Sequence, residues 1–215
     1  MQVGITVQNV NHPSYDEFGY YLNIRWKKFA EEVGFTLIPI ISIGMAKQMI
    51  SDKYINAIIL SGGGNLSEKF LTEIDEKQYL NNVDLEREQI EKVLIEFSIK
   101  TNTPLIGICR GMQAIAMYFG GKLSTVDKHV NTRHVLEYFC PVLNCNVNRN
   151  VNSYHNYSLD KKSLPKYFQI NTQYMSSIEQ MIHEKKKILG IMWHPEREEK
   201  FSKLDIKLFR NFLNL

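Results

Sequence analysis

The sequence lacks the features that mark a membrane protein, a secreted protein or a nucleic-acid binder. Its apolar runs are far shorter than the roughly 20 residues needed to cross a bilayer. The first residues, MQVGITVQNV, contain no basic segment followed by an apolar core, so they predict no signal peptide. A formal net charge of only +3 favours neither nucleic acid nor a membrane surface as a partner, although it would not repel an anionic substrate. We therefore expect a cytoplasmic protein.

Cysteine is also scarce. There are three, Cys109, Cys140 and Cys145, and an odd number without framework spacing indicates free thiols in a reducing compartment. We interpret Cys140 and Cys145 as buried core residues rather than a metal pair, because no cluster of histidine and cysteine lies nearby at ligand spacing. The sequence thus predicts no metal site.

Repeats, low-complexity tracts and linkers are missing too, and 215 residues suit one α/β domain over residues 1–215. Strand-like and helix-like segments alternate up to Gly121, which predicts a flavodoxin-like, mostly parallel sheet with helices on both faces. Beyond Gly121, short strand-like runs without long helices between them predict antiparallel strands. The main expected elements are strands at Val3–Val7, Phe35–Ile41, Ala57–Leu60 and Leu105–Ile108, helices at Tyr21–Val33, Gly44–Ile50, Asp84–Ile99, Met112–Phe119 and Lys203–Leu213, a loop at Gln8–Gly19 and a polar insertion at Leu66–Val83.

Cys109 stands at the apex of a strand, a sharp turn and a helix in the segment PLIGICRGMQAIAMYFGG, Pro104–Gly121. Gly107 and Gly111 flank it, as a strained turn requires when its neighbours cannot carry bulk. The N-terminus of the following helix favours thiolate over thiol. This pattern predicts a nucleophile. A buried structural cysteine is the alternative, but it gives no reason for the two glycines.

His194 is the histidine best placed to act as the base. It follows the apolar strand Ile188–Met192 and has Glu196 two positions on, so we expect it at the carboxyl rim of the sheet beside Cys109. There the carboxylate can bind one ring nitrogen while the other faces the thiol. A surface turn is the alternative interpretation of this WHPE segment.

Two further turns hold candidate residues. Ser61–Asn65, SGGGN, ends a strand and can present backbone N–H groups to an oxyanion together with the N–H of Arg110. A phosphate-binding loop competes with this interpretation, although no Walker lysine and no dinucleotide fingerprint is present. His155 and Asn156 lie in the polar segment Val151–Leu159, where a solvated loop histidine is the ordinary expectation.

The motifs SGGGN, GICRGMQ and WHPE, which follow one another in the family's order along nearly the whole chain, resemble the class I glutamine amidotransferase family. The resemblance implies that Cys109 is the nucleophile, His194 the base and later acid, and Glu196 the residue that orients it. No metal or cofactor is implied. The other implied site residues are Gly63 and Arg110 as oxyanion N–H donors, and Gly62, Gln113, His155 and Asn156 as substrate contacts, with Gln113 at the α-amino or carboxylate end of a γ-glutamyl group.

Within that family, NSYHN and the absence of a fused synthetase resemble the stand-alone γ-glutamyl hydrolases of the peptidase C26 type. The stretches YLNIRWKKFAEEVGFTLIPI, DLEREQIE and GIMWHPEREEKF are similar to a subset linked to surface-polysaccharide biosynthesis and its phosphoramidate modification of the capsule. That similarity implies γ-glutamyl-CDP-amidate as substrate and glutamate and cytidine diphosphoramidate as products. Arg110 departs from the family pattern, because many relatives have a smaller or apolar residue at this position. The side-chain cations that are candidate contacts for an anionic leaving group are those of Arg25, Arg87, Arg110 and Arg197.

Two other functions stay open on the sequence alone. In the first, the chain is the glutaminase component of a two-protein amidotransferase and delivers ammonia to a synthetase partner. In the second, it is a non-enzymatic flavodoxin-like binding module whose SGGGN turn holds a phosphate or flavin.

Overall fold

A computed structural model of the chain describes residues 1–67 and 83–215. The described helices are α1 (Arg25–Val33), α2 (Ile43–Ser51), α3 (Leu85–Thr101), α4 (Arg110–Tyr118) and α5 (Lys203–Leu213), with a single 3₁₀ turn at Pro195–Arg197. The described strands are β1 (Gln2–Thr6), β2 (Gln8–Asn11), β3 (Phe18–Tyr21), β4 (Thr36–Ile40), β5 (Ala57–Leu60), β6 (Leu105–Ile108), β7 (Ser124–Thr125), β8 (Val130–Cys140), β9 (Cys145–Tyr154), β10 (Tyr157–Ser158), β11 (Phe168–Tyr174), β12 (Ser177–His183) and β13 (Ile188–Ile191).

A seven-stranded sheet with the order β11-β12-β13-β6-β5-β1-β4 forms the centre of the molecule. The five strands from β13 to β4 are parallel, whereas β12 and β11 run antiparallel at one edge. On the flanks, α1 packs against α5, and α3 packs against α2 and α4. This confirms the mostly parallel α/β sheet with antiparallel strands from the C-terminal half.

The strands at the centre of the sheet are buried along their whole length. Every residue of β5, β6 and β13 is buried, as expected for parallel strands covered on both faces. Pro39 is accommodated in β4 because β4 is the edge strand of the sheet. The helix predicted at Lys203–Leu213 has those same bounds in α5.

Strand register brings the ends of three strands to one edge of the sheet. Ile108 in β6 pairs with Ile191 in β13, and Leu60 in β5 pairs with Gly107. The backbone N–H of Cys109 then donates to the carbonyl of Ile191 at 2.7 Å, which continues the pairing one residue beyond β6. Residues that follow these strands therefore meet at the carboxyl rim.

Some sequence expectations were wrong in detail. The predicted loop Gln8–Gly19 contains β2, which pairs with β3, and helix α1 begins at Arg25 rather than at Tyr21. All four residues of β3 are exposed, so this strand has no alternating pattern by which a sequence could reveal it. Of the predicted insertion, residues 68–82 lie outside the described part of the chain. None of the described helices is long and apolar enough to cross a membrane.

Candidate active site

Cys109 lies between β6 and α4 in a backbone conformation that side-chain-bearing residues rarely adopt. Its φ is 50° and its ψ is −106°. The neighbouring glycines are required because a Cβ on Gly107 would lie 2.6 Å from the amide nitrogen of Met112, and one on Gly111 would lie 2.0 Å from the carbonyl oxygen of Leu60. The turn is thus packed tightly against β5, with the sulfur at the start of a helix.

His194 follows β13 at the same rim. Its Nδ1 lies 2.7 Å from Oε1 of Glu196, which leaves Nε2 for another partner. The ring packs directly on the backbone of Gly62, since a Cβ there would lie 2.4 Å from Cε1 of His194. Asn152 holds the main chain of His194 from the other side, because its amide accepts from the N–H and donates to the carbonyl, each at 2.8 Å.

The thiol and the imidazole shift each other's pKa in opposite directions. Burial raises the pKa of Cys109, but the charge of His194, its hydrogen bond and the charges of His155 and Arg197 outweigh burial and lower that pKa. Burial lowers the pKa of His194, whereas Glu196 and the Cys109 thiolate raise it, with a result of about 9. These mutual shifts favour the charged thiolate–imidazolium form of the buried pair over the neutral thiol and imidazole.

The glycine turn is held from behind by Arg87. This buried guanidinium donates to the carbonyl of Gly63 at 2.9 Å, to that of Gly62 at 3.3 Å, and to that of Ser61. In a trans peptide the N–H points opposite to the C=O, so the N–H of Gly63 points away from Arg87. Gly63 itself has a φ of 91°, which favours glycine.

One carboxylate joins this turn to the residue after Cys109. Glu91 accepts from Nε of Arg87 at 2.9 Å through one oxygen and from Arg110 through the other. Arg110 also donates to the carbonyl of Asn65 at 3.3 Å. The side chains of Arg87, Glu91 and Arg110 are almost fully buried, so one charged network fixes both backbone segments predicted to supply oxyanion N–H groups.

The predicted substrate contacts differ in their surroundings. Gln113 Nε2 donates to the carbonyl of Tyr157 at 2.7 Å, and Nδ1 of the buried His155 lies 3.2 Å from the same oxygen. His155 is near enough to Cys109 to affect its pKa. The Asn156 side chain is exposed, whereas the backbone carbonyl of Asn156 accepts from the backbone N–H of Val126. Gly62 contacts the imidazole of His194.

Of the four arginines suggested for an anionic leaving group, three are engaged inside the protein. Arg87 and Arg110 are buried on Glu91 and turn carbonyls. Arg25 donates to the carbonyls of Glu196, Glu198 and Glu199, where it supports the segment after His194. Arg25 and Arg197 are both partly exposed, but of the four only Arg197 also lowers the pKa of Cys109. The Arg197 guanidinium lies over the Tyr154 ring at 4.9 Å, and its Nε is 3.6 Å from Oε1 of Glu196.

Sequence reasoning missed the residues that support the site. Asn152 is the first residue of the NSYHN segment, but no signal in the sequence indicates that its side-chain amide binds the main chain of His194. Arg87 was named from the sequence only as a candidate contact for the leaving group, and Glu91, four residues further along the same helix, was not singled out. A charged pair at this spacing is ordinarily solvent-exposed, so only its burial distinguishes it.

The fold is that of the class I glutamine amidotransferases. A solved structure of a glutamine amidotransferase from Thermotoga maritima matches it with a TM-score of 0.59 and 15% identity, covering 99% of this chain and 84% of that one. The chain belongs to the peptidase C26 family, whose sequence model matches residues 2–196.

Two relatives bear on its activity. The gamma-glutamyl-CDP-amidate hydrolase of Campylobacter jejuni is 32% identical over 216 residues, which cover 96% of this chain and 95% of that protein. The A chain of the glutamine-hydrolyzing GMP synthase of Archaeoglobus fulgidus is 31% identical over 119 residues, which cover 53% of this chain and 62% of that protein. The protein is thus a glutamine amidotransferase-like hydrolase.

Proposed function

We propose that this protein hydrolyses a γ-glutamyl amide with Cys109 as nucleophile, His194 as acid and base, and Glu196 as the residue that orients the imidazole. The observation that carries this proposal is that a strained, buried thiol and an imidazole bound to a buried carboxylate at 2.7 Å follow two paired strands at one rim of the sheet. Their opposite pKa shifts agree with this arrangement. Perturbed groups arranged as nucleophile, base and orienting group are typical of covalent catalysis.

In the proposed reaction, the Cys109 thiolate attacks the γ-carbonyl carbon. The N–H groups of Gly63 and Arg110 stabilise the resulting oxyanion, and the imidazolium of His194 protonates the leaving nitrogen as the C–N bond breaks. This leaves a γ-glutamyl thioester on sulfur and a neutral imidazole. The imidazole then takes a proton from water as the water oxygen attacks the thioester carbon. The C–S bond breaks, which releases glutamate and restores the Cys109 thiolate and the His194 imidazolium.

We further propose γ-glutamyl-CDP-amidate as the substrate, which would yield glutamate and cytidine diphosphoramidate. The support is the similarity, over nearly the full length of both chains, to a hydrolase named for that substrate. Arg197 fits the diphosphate of such a leaving group, because its guanidinium is partly exposed beside the thiol. A guanidinium binds phosphate oxygens through paired hydrogen bonds.

The substrate is tested by measuring glutamate release from a panel that includes glutamine, γ-glutamyl-γ-aminobutyrate and γ-glutamyl-CDP-amidate. The expected result is a kcat/KM for γ-glutamyl-CDP-amidate far above the others. Arg197→Met should raise KM for this substrate and leave KM for glutamine unchanged. Preference for glutamine, or an equal rise in KM for both compounds in Arg197→Met, would contradict the assignment, whereas an equal fall in kcat would reflect the lost cation near Cys109.

The nucleophile is tested by Cys109→Ala. Loss of the thiol should raise the barrier by at least ~4 kcal/mol, a fall of roughly a thousandfold in kcat/KM. Cys145→Ala, which changes a partly buried cysteine on the β8–β9 hairpin, should keep wild-type turnover. A γ-glutamyl adduct seen by mass spectrometry on wild-type protein and missing from Cys109→Ala would identify the acylated residue.

A second function is favoured by the likeness to one chain of a glutamine-hydrolyzing GMP synthase. In that case the protein would act as a glutaminase and pass ammonia to a synthetase partner. It would then release little glutamate by itself and gain activity only on mixing with the synthetase. Full turnover of the isolated protein on a γ-glutamyl amide rejects this alternative.

A further inference from the structure

Behind the candidate thiol lies a second group of buried polar side chains that the proposed hydrolysis does not use in full. His129 precedes β8, His155 follows β9 and Glu179 is in β12, and all three are at most 4% exposed. One ligand atom from each falls within 4.8 Å of the others. Nε2 of His155 lies 3.6 Å and Nδ1 of His129 lies 3.7 Å from the same oxygen, Oε1 of Glu179.

The hydrogen bonds around this cluster leave acceptors facing one another. Nδ1 of His155 lies 3.2 Å from the carbonyl of Tyr157, and a carbonyl can only accept, so the proton of a neutral His155 is on Nδ1. Its Nε2 then directs a lone pair at Oε1 of Glu179, and this buried nitrogen has no hydrogen-bond partner among the described residues. Burying two acceptors face to face is unfavourable unless a positive charge lies between them, which either a second proton on His155 or a metal ion would supply.

We propose that His129, His155 and Glu179 bind one divalent transition-metal ion of the Zn²⁺ type. Two imidazoles and one carboxylate are a ligand set that zinc accepts. Tetrahedral ligands at about 2.0–2.1 Å from zinc are about 3.4 Å apart. The two spacings to Glu179, 3.6 and 3.7 Å, would need to shrink by only a few tenths of an ångström. The spacing between the two imidazole nitrogens, which is at most 4.8 Å, would have to reach the same value.

The residues around the cluster orient His155 and Glu179 as an outer shell does in metal sites, whereas Nδ1 of His129 lies 3.3 Å from Ser153 Oγ, a contact that the ion would replace. The Tyr157 carbonyl binds Nδ1 of His155, which leaves Nε2 for the ion. Ser177 Oγ donates to Oε1 of Glu179 at 2.7 Å. His134 stacks on Tyr174 and places Nε2 3.4 Å from Oε2, the other oxygen of Glu179, so Oε1 is the one directed at His129 and His155.

The position of the ligands indicates what the ion would do. His129 and His155 stand at the two open ends of the β8–β9 hairpin, whereas Glu179 belongs to the central sheet. An ion bound by all three would tie the hairpin to the sheet and fix His155 beside Cys109. Because it binds the folded chain only, it would raise the unfolding temperature, and the rise would grow with the logarithm of the free ion concentration above the Kd.

Binding is tested in the Cys109→Ala protein, where the reactive thiol cannot bind the added ion. The metal-free protein is titrated with Co²⁺ and separately with Zn²⁺. We expect one ion per chain, visible absorption of tetrahedral Co²⁺ that Zn²⁺ displaces, and a higher unfolding temperature. Adding His129→Ala should weaken binding at least tenfold and remove the temperature shift, whereas His12→Ala, which removes an exposed histidine, should change neither.

The proposal fails if the Cys109→Ala protein binds no ion near equimolar concentration, or if His129→Ala binds Co²⁺ as tightly as its parent. If His129→Ala does not fold, His129→Gln replaces it and should show the same loss. None of these measurements uses turnover, so they are independent of the proposed hydrolysis.

Discussion

At the scale of single residues, the imidazole of His194 rests on the backbone of Gly62. Gly62→Ala would place a methyl group 2.4 Å from Cε1 of His194 and displace the ring from its position beside Glu196. Because a misplacement of about 1 Å can cost on the order of a hundredfold in rate, we expect kcat to fall by roughly 10- to 100-fold. Steady-state kinetics on the best γ-glutamyl substrate check this.

The matched control for that substitution is Gly19→Ala, since a Cβ on Gly19 meets nothing within 4 Å. It should keep wild-type kinetics and a wild-type unfolding temperature. Unchanged kcat in Gly62→Ala would mean that the ring does not need its present position.

The same residues predict the dependence of activity on pH. Activity should rise as Cys109 loses its proton, below the usual thiol pKa of about 8.5, and fall as His194 loses its proton near its pKa of about 9. Glu196 raises the pKa of His194, so Glu196→Gln should move the falling limb to lower pH. The profile of kcat/KM against pH tests this, and a falling limb that stays in place in Glu196→Gln would contradict it.

At the scale of elements, helix α3 turns a charged face into the protein. Arg87 binds three consecutive carbonyls of the glycine turn and pairs with Glu91, which also binds Arg110. Arg87→Met should leave these carbonyls unpaired and let the turn move, so we expect kcat to fall by roughly 10- to 100-fold with little change in KM.

Two variants separate positioning by Arg87 from a general loss of folding. Lys92→Met changes an exposed residue on the same helix and should behave as wild type. Arg87→Lys keeps the charge but loses the fork of donors, so it should recover only part of kcat. A rise in KM as large as the fall in kcat would argue that Arg87 acts on substrate binding instead.

At the scale of the whole molecule, a buried ion pair connects the long hairpin to the last helix. Arg149 in β9 binds Asp205 in α5 at 2.6 Å, and the indole N–H of Trp193 donates to the same carboxylate at 3.0 Å. The guanidinium also lies over the Trp193 ring at 4.6 Å. The residue before His194 is thereby held between the hairpin and the helix.

Asp205→Ala should destabilise the protein by about 3–5 kcal/mol, because it leaves the buried cation of Arg149 without its partner. Urea unfolding followed by circular dichroism measures this change, with Glu31→Ala on the exposed face of α1 as the control that should shift by less than about 0.5 kcal/mol. An equal change in the free energy of unfolding of both variants would show that the Arg149–Asp205 ion pair stabilises the protein no more than an exposed side chain does.

Much of this protein is determined by short-range features of its sequence. The turn at Cys109, the buried parallel strands and the bounds of α5 follow from glycine placement and from apolar residues at strand or helix spacing. These signals work because they depend on neighbours within a turn or two of the chain. The order of the motifs was enough to identify the family, while the assignment of residues 1–215 to one domain stays a prediction.

Only the tertiary structure decided which partners those residues meet. The register of β13 against β6 brings His194 to Cys109, Arg87 and Glu91 are buried although they look like surface charges, and three of the four candidate arginines are engaged inside the protein. His129, His155 and Glu179 come from three separate strands or their ends, so no spacing in the sequence connects them. The physical reason is that a hydrogen bond or an ion pair depends on distance in space, which strand register and helix packing set and local sequence does not.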